Sequence, residues 1–241
     1  NKKPEIARCY LPYDANSLIC TMEHCLKTKN KVNAVVASKH PSYQWLNMKD
    51  TVKHFEKGIS RFDFASNDIG DDVDLILACC GDAPTLETIA CSKLIREYLP
   101  NLKVRVINVI DLFKLQSDKK HPHGLTDEEF DKLFTTNKPV VFDFHGHEGL
   151  IEELVYTRKN RNFHITGYKE EGTITTPFDM RVRNKIDRYH LVLMALDYLD
   201  IDENRKNEIR KDIQEKLDKH NAYIREYGVD LPEIENWNFN D

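Results

Sequence analysis

Hydrophobic and polar positions along the chain follow two rhythms. Continuous apolar runs at residues 73–80, 102–109, 139–144 and 163–166 alternate with stretches at about 84–98, 126–134 and 147–157, where apolar residues recur every three or four positions. Continuous runs fit strands buried on both faces, and the three-to-four spacing fits helices with one buried face. Their alternation predicts an α/β domain, a doubly wound, mostly parallel sheet flanked by helices. Thr126-Asp127-Glu128-Glu129 has the form of a capping box and sets one helix start.

Upstream, residues 6–11 and 32–37 read as strands, and between them Asp14 can cap a helix carrying Leu18, Ile19, Met22 and Leu26 on one face. This N-terminal βαβ tail cannot cover both faces of its own strands, so it must complete a sheet supplied elsewhere. His40-Pro41-Ser42 breaks the pattern and suggests a linker over 40–46. A short helix follows at about 47–57 through Met48, Val52 and Phe55, then a strand at 61–65 and an acidic, turn-rich stretch at 66–72 expected to be a solvated loop.

Gly167 to Met180 forms a polar loop, with two glycines and three threonines, that runs into a helix. Thr176 suits the cap, Pro177 the first turn, and Asp179 the positive end of the helix dipole. Two further helices are expected, one over Leu191 to Leu199 and a heavily charged one at about 202–227 that stops at Gly228.

Composition narrows the function classes. A net charge of −5 over 241 residues provides no broad basic surface for nucleic acid. No apolar run reaches the roughly 18 residues of a membrane span. The six cysteines (Cys9, Cys20, Cys25, Cys79, Cys80 and Cys91) form no C-x-x-C pair and read as reduced core thiols of a cytoplasmic protein.

Chemistry-bearing residues gather at the expected strand ends. Gly81-Asp82-Ala83-Pro84-Thr85 opens a helix after a buried strand, where an anion could meet free N–H groups, but Asp82 would itself cap that helix and repel a phosphate. The glycine spacing matches neither a dinucleotide fingerprint nor a P-loop. His121 and His123, and again His145 and His147, stand two residues apart. The second pair follows strand 139–144, at the edge where such sheets bind ligands. Zinc would need more ligands than the spacing nominates, which leaves turn chemistry or a ligand or interface role for His145 and His147. Tyr168, Lys169 and Thr173 share the polar loop and are candidates for the same role. Lys39, at the end of strand 32–37, is either a solvated cation or a contact for a phosphate dianion. On these residues alone no reaction is defined, and a stand-alone, noncatalytic α/β module binding a small anion near Gly81, His145 and Gly172, or serving assembly, remains open.

Several segments together are similar to the C-terminal portion of phosphoketolases, the thiamine diphosphate enzymes that split ketose phosphates with inorganic phosphate. They are Leu11-Pro12-Tyr13-Asp14-Ala15-Asn16, Gly81 to Thr88, Val104 to Leu112, His121-Pro122-His123-Gly124-Leu125, Lys138 to Gly146, and the Gly167 loop through Asp187-Arg188-Tyr189-His190-Leu191. The resemblance runs nearly end to end. It implies a piece of a much longer chain, with residues 1–45 the tail and linker of a pyrimidine-side domain. Residues 46–241 would be a transketolase-like C-terminal domain whose sheet has one antiparallel strand.

The resemblance further implies that the full-length enzyme binds thiamine diphosphate and Mg²⁺ through upstream domains and forms a homodimer. It would convert xylulose 5-phosphate or fructose 6-phosphate to acetyl phosphate and an aldose phosphate. This fragment, lacking the cofactor motif, is expected to bind no cofactor and be inactive alone, serving dimer stability and closure of the substrate channel. The family's Ala-x-Lys-x-Pro segment corresponds to Ala37-Ser38-Lys39-His40-Pro41, which nominates Lys39 for the sugar phosphate. Many relatives carry Gly and Gln around that lysine, where this chain has Ser38 and His40.

Overall fold

The computed structural model describes residues 3–39, 41–70, 72–169 and 173–239. The chain forms two sheets. Strands β1 (Ala7–Tyr10) and β2 (Val32–Val35) pair in parallel around helix α1 (Ala15–Lys27). Asp14 caps α1 through a reciprocal pair: its carboxylate accepts from Ser17 N–H at 2.8 Å, and Ser17 Oγ accepts from Asp14 N–H at 2.9 Å. Helix α2 (Met48–Lys57) ends at Gly58, whose φ of 72° turns the chain directly into β3 (Ile59–Arg61).

The second sheet has the order β3-β5-β4-β6-β7, with β4 (Leu75–Cys80), β5 (Val104–Val109), β6 (Val140–Phe144) and β7 (Phe163–Gly167) parallel and β3 antiparallel at one edge. Helices α3 (Asp82–Tyr98), α4 (Asp127–Phe134) and α5 (Glu148–Val155) make the crossovers. After β7 come α6 (Pro177–Asn184), α7 (Arg188–Tyr198), α8 (Glu203–Tyr227) and α9 (Pro232–Glu235). The expected caps hold α4 and α6: Thr126 and Glu129 bond reciprocally, and Thr176 Oγ1 accepts from Asp179 N–H.

The continuous apolar runs divide by parity between two cores. Leu75 and Leu77 face α3, α7 and α8, joining Ile89, Val192 and Ile213, while Ile76, Ala78 and Cys80 face α4 and α5, joining Phe130, Phe134 and Ile151. The layered α/β architecture expected from the alternation is therefore the one observed.

Two local expectations are corrected. The strand placed at 61–65 lies at Ile59–Arg61 because the left-handed turn at Gly58 delivers the chain to the sheet early, and Asp63–Ala65 is a single 3₁₀ turn. The acidic stretch is not solvated throughout, for Asp68 is buried between two guanidiniums, Arg61 Nε at 2.9 Å and Arg105 Nε at 2.8 Å. Asp71 lies outside the described residues. All six cysteines are free; Cys20, Cys79, Cys80 and Cys91 are buried, while Cys9 and Cys25 are only half-buried.

The N-terminal unit docks on the larger sheet. Leu11 N–H donates to Ile110 O at 2.8 Å, and Tyr13 packs edge-on against Phe62 and His54. His121 stacks on Phe113, and His123 Nδ1 lies 2.5 Å from Asp111 Oδ2, so this histidine pair serves docking and turn geometry. Helix α1 turns Ser17, Cys20 and Thr21 inward and leaves Ile19, Met22 and Leu26 exposed, with Leu26 80% accessible.

A polar chain crosses the sheet at β3 and β5. Buried His54 meets Ser60 Oγ through Nδ1 at 2.5 Å and Asn108 Oδ1 through Nε2 at 2.9 Å, and Asn108 Nδ2 donates to Thr85 Oγ1 at 2.9 Å. Burial lowers the His54 pKa from 6.5 to about 4, against the opposing bond from Asn108. The folded state thus holds the ring neutral, so its contribution is complete above the unfolded value of 6.5 and is lost as pH falls toward 4. Urea titrations should show up to roughly 3 kcal/mol of stability lost across that window. His54→Gln should be less stable at pH 7.5 yet show a shallower fall, and an unchanged pH slope would contradict this origin.

Candidate functional site

The C-terminal ends of β2, β4, β6 and β7 bring most of the expected site residues to one edge. Gly81 follows β4 with φ 112°, and a Cβ there would stand 2.5 Å from His145 Cβ, so only glycine permits this approach. A Cβ on Gly167 would meet Gly146 O at 2.1 Å, which packs the β7 exit equally tightly against the β6 exit.

His145 lies at the centre of this edge. Its backbone N–H donates to Cys80 O at 3.0 Å, and its ring Nδ1 sits 3.0 Å from Asp82 Oδ1. Ala83 N–H and the Ser38 side chain also lie close enough to favour the Asp82 anion. Burial alone would raise the Asp82 pKa, but His145 and these donors outweigh it and hold the group at about 2. The helix cap expected of Asp82 is corrected: the N-cap of α3 is Gly81, and Asp82 is the first helical residue. An anion at this helix start would meet the Asp82 carboxylate, and Gly172, the other glycine of the anion-binding alternative, lies outside the described residues.

Lys39 is exposed, one residue beyond Ser38 and past the end of β2. Beside it a cavity of about 260 Å³ is lined by Tyr13, Asp14, Ser38, Pro41 and Asp82, and so joins the N-terminal unit to the larger sheet. His40 lies outside the described residues. A larger groove of about 830 Å³ runs along β3 and is lined by a near-balanced set of charges, away from all of these groups.

The remaining candidates form a second cluster. His147 is exposed and caps α5, its ring accepting from Gly149 N–H at 3.2 Å. Lys169 donates its backbone N–H to Asn184 Oδ1 at 2.7 Å, and its ammonium pairs with Glu148 at 2.9 Å. Tyr168 is half-buried and Thr173 exposed, while Glu170, Glu171 and Gly172 lie outside the described residues. His145 is thus paired with Asp82 beside the segment that carries Lys39, whereas His147 and Lys169 are engaged with α5 and α6.

Beneath this edge lies a buried charge cluster that sequence reasoning missed. Fully buried Glu87 accepts from Arg188 Nε at 2.8 Å, Arg188 Nη2 at 3.1 Å, Arg188 N–H at 2.9 Å and Arg181 Nη1 at 2.6 Å. Burial opposes its charge, yet the two guanidiniums hold its pKa at about 2. Asp143, also buried, is pushed well above the carboxylate range by burial and then by Glu87 and Asp187. The partners of Glu87 are 94 and 101 residues away, so no local pattern could have found them.

A model of the XFP C-terminal domain matches residues 39–239, and a model of D-xylulose 5-phosphate/D-fructose 6-phosphate phosphoketolase matches residues 1–28. The chain belongs to the phosphoketolase family. It is 54% identical over 237 residues to a probable phosphoketolase of Clostridium acetobutylicum, covering 98% of this chain and 30% of that protein. A probable phosphoketolase of Rhodopirellula baltica is 53% identical over 238 residues, again 98% of this chain and 30% of the relative. The chain therefore spans about 30% of the length of these relatives. Among solved structures, transketolase from Leishmania mexicana aligns with TM-score 0.54 at 12% identity, over 80% of this chain and 25% of that one. A split-gene transketolase aligns with TM-score 0.53 at 13% identity, over 80% of this chain and 57% of that one. At such identities the likeness concerns the fold, and it bears out the transketolase-like C-terminal architecture.

Gly81→Ala should lower stability by roughly 2 kcal/mol or more, since it adds both a positive-φ penalty and a collision with His145. Thermal unfolding of the variant checks this, and an unchanged midpoint would show that the β6 exit yields freely.

Proposed function

We propose that this chain is the C-terminal portion of a phosphoketolase that cleaves xylulose 5-phosphate, fructose 6-phosphate or both with inorganic phosphate, giving acetyl phosphate and an aldose phosphate. The observation that carries the reading is the near-complete coverage of this chain, at about half identity, by proteins described as probable phosphoketolases. Within that enzyme, residues 1–45 are the end of a preceding domain and its linker, and residues 46–241 are the C-terminal domain. The separate two-stranded sheet supports this division. So does the apolar surface on α1 and β2, where Leu26 is 80% and Val32 66% exposed, a surface suited to the rest of that preceding domain.

The cofactor belongs to the upstream domains on this reading. Among the described residues, no group of three or more His, Cys, Asp or Glu side chains could hold a metal ion. Thiamine diphosphate supplies an electron sink for carbon–carbon cleavage, which side chains lack. This chain contributes the Lys39 ammonium as a contact for the sugar phosphate, a wall of the substrate channel and part of a homodimer. Among the described residues no helix is long and apolar enough to cross a membrane, and a cytoplasmic location is part of the proposal.

Assaying acetyl phosphate from the full-length protein with each sugar phosphate tests the reaction; the isolated chain should form none, and turnover by it would overturn the assignment. In the full-length enzyme, Lys39→Ala should raise KM for the sugar phosphate roughly tenfold or more while changing kcat less, because it removes a charged contact on a remote group. Leu26→Glu should leave the stability of the isolated chain within about 0.5 kcal/mol, as expected at an exposed position. The same substitution should markedly destabilise the full-length protein, and equal effects in both would argue that α1 faces solvent throughout.

A further inference from the structure

We propose that His121 is an acid-sensitive pin between the N-terminal unit and the larger sheet, holding the start of β1 while its ring is neutral and releasing it when the ring is protonated. The inference is independent of the role given to Lys39. It rests on how β1 is docked at its two ends. Just beyond Tyr10, Leu11 N–H donates to Ile110 O at 2.8 Å, a backbone contact that no titration can touch. At the other end, Ala7 O lies 3.4 Å from His121 Nε2.

The hydrogen bonds fix which nitrogen carries the proton. His123 N–H donates to His121 Nδ1 at 3.0 Å, so Nδ1 is an acceptor and the hydrogen of the neutral ring sits on Nε2, where Ala7 O receives it. The residue is only 4% accessible, and its ring stacks on Phe113 with centroids 4.2 Å apart. One imidazole thus joins β1, the turn after β5 and its own loop. Because β1 pairs with β2 from Ala7 and Val32 through Tyr10 and Val35, release at Ala7 reaches both strands of the unit.

Protonation would undo the arrangement. A hydrogen on Nδ1 would face the His123 N–H donor to donor, and the new charge would stand 3.5 Å from Arg8 Nη1. Arg8 is buried and held there, since the same Nη1 donates to Pro4 O at 2.7 Å and to Ala7 O at 2.6 Å. The other charged or titratable groups facing the ring are Asp111, beyond the end of β5, and His123. The carboxylate favours an imidazolium, but its Oδ2 is already 2.5 Å from His123 Nδ1. Burial, reinforced by Arg8, lowers the His121 pKa from 6.5 against the bond to Ala7. The pin is therefore complete above pH 6.5 and is lost as pH falls through the lower, folded value.

The test follows the full-length protein from about pH 8 to about pH 5 by two exchange measurements read by mass spectrometry. Exchange of the imidazole C2 hydrogen gives the His121 midpoint, which should lie below 6.5. Amide exchange over residues 6–11, corrected for the intrinsic effect of pH, should quicken about five- to tenfold on acidification, while β4 stays protected. His121→Asn offers an amide oxygen to His123 N–H without a titrating ring and should abolish the quickening. Arg8→Met removes the repelling charge and should move the His121 midpoint upward. A wild-type midpoint at or above 6.5, quickening that persists in His121→Asn, equal quickening in β4, or an unmoved midpoint in Arg8→Met would each overturn the pin. Should His121→Asn fail to fold, the wild-type midpoint and its shift in Arg8→Met decide the matter.

Discussion

The buried Glu87 carboxylate is the constraint on which the rest of the larger domain depends. It sits on α3 with no access to water and is met by Arg188, twice through the side chain and once through the backbone, and by Arg181. Removing charges from water is costly, and an ion left without its partners in such a place typically costs 3–5 kcal/mol. The carboxylate therefore dictates where α6 and α7, which carry the arginines, lie on the sheet. Asp143 lies in the same balance of burial against charge: burial, then Glu87 and Asp187, push its pKa well above the carboxylate range.

That balance also shapes the edge above it. With α7 fixed at its first residue and α6 fixed by Arg181, the β7 end of the following loop is tied to the end of α6, by Thr166 Oγ1 donating to Lys185 O at 3.2 Å and by Lys169 N–H donating to Asn184 at 2.7 Å. The exits of β4, β6 and β7 are then pressed together until only glycine fits at 81 and 167. The same helix that carries Glu87 presents Asp82 at its start, so the buried cluster and the edge share one rigid body. Whatever perturbs the position of α3 should be felt at His145, whose ring faces Asp82 at 3.0 Å.

How much of this was legible in the sequence depends on the range over which each feature acts. Strands such as 73–80 and helices such as the one capped at Thr126 are written in consecutive residues, and the periodicity placed them within a few positions. The edge strand β3 was misplaced because three residues carry no period, and its position follows from the left-handed turn at Gly58. Asp68 looked like part of a solvated run because its partners Arg61 and Arg105 come from β3 and β5, and only the sheet brings them together. His145 was legible as a residue at a strand end, but its pairing with Asp82 across two crossovers was not, since helix capping explains an aspartate in that position equally well. The exposed side of α1 was visible as a pattern, and its lack of cover appears only once the chain is folded.

A division of labour follows from chemistry as much as from kinship. Breaking a bond beside a ketose carbonyl leaves an electron pair that must be delocalised, and the side chains at this edge are a carboxylate held near pKa 2, an imidazole engaged with it and an exposed ammonium. Such groups can bind, orient and balance charge, but they cannot accept a carbanion. On the proposed function the reactive centre would lie outside these residues, and Lys39 would act on rate only through the phosphate at the far end of the sugar. Binding energy gathered there serves catalysis when it fixes the reacting end in place. On that proposal, the rigidity that Glu87 gives α3 would let a contact made at the far end of the sugar matter at the bond being broken.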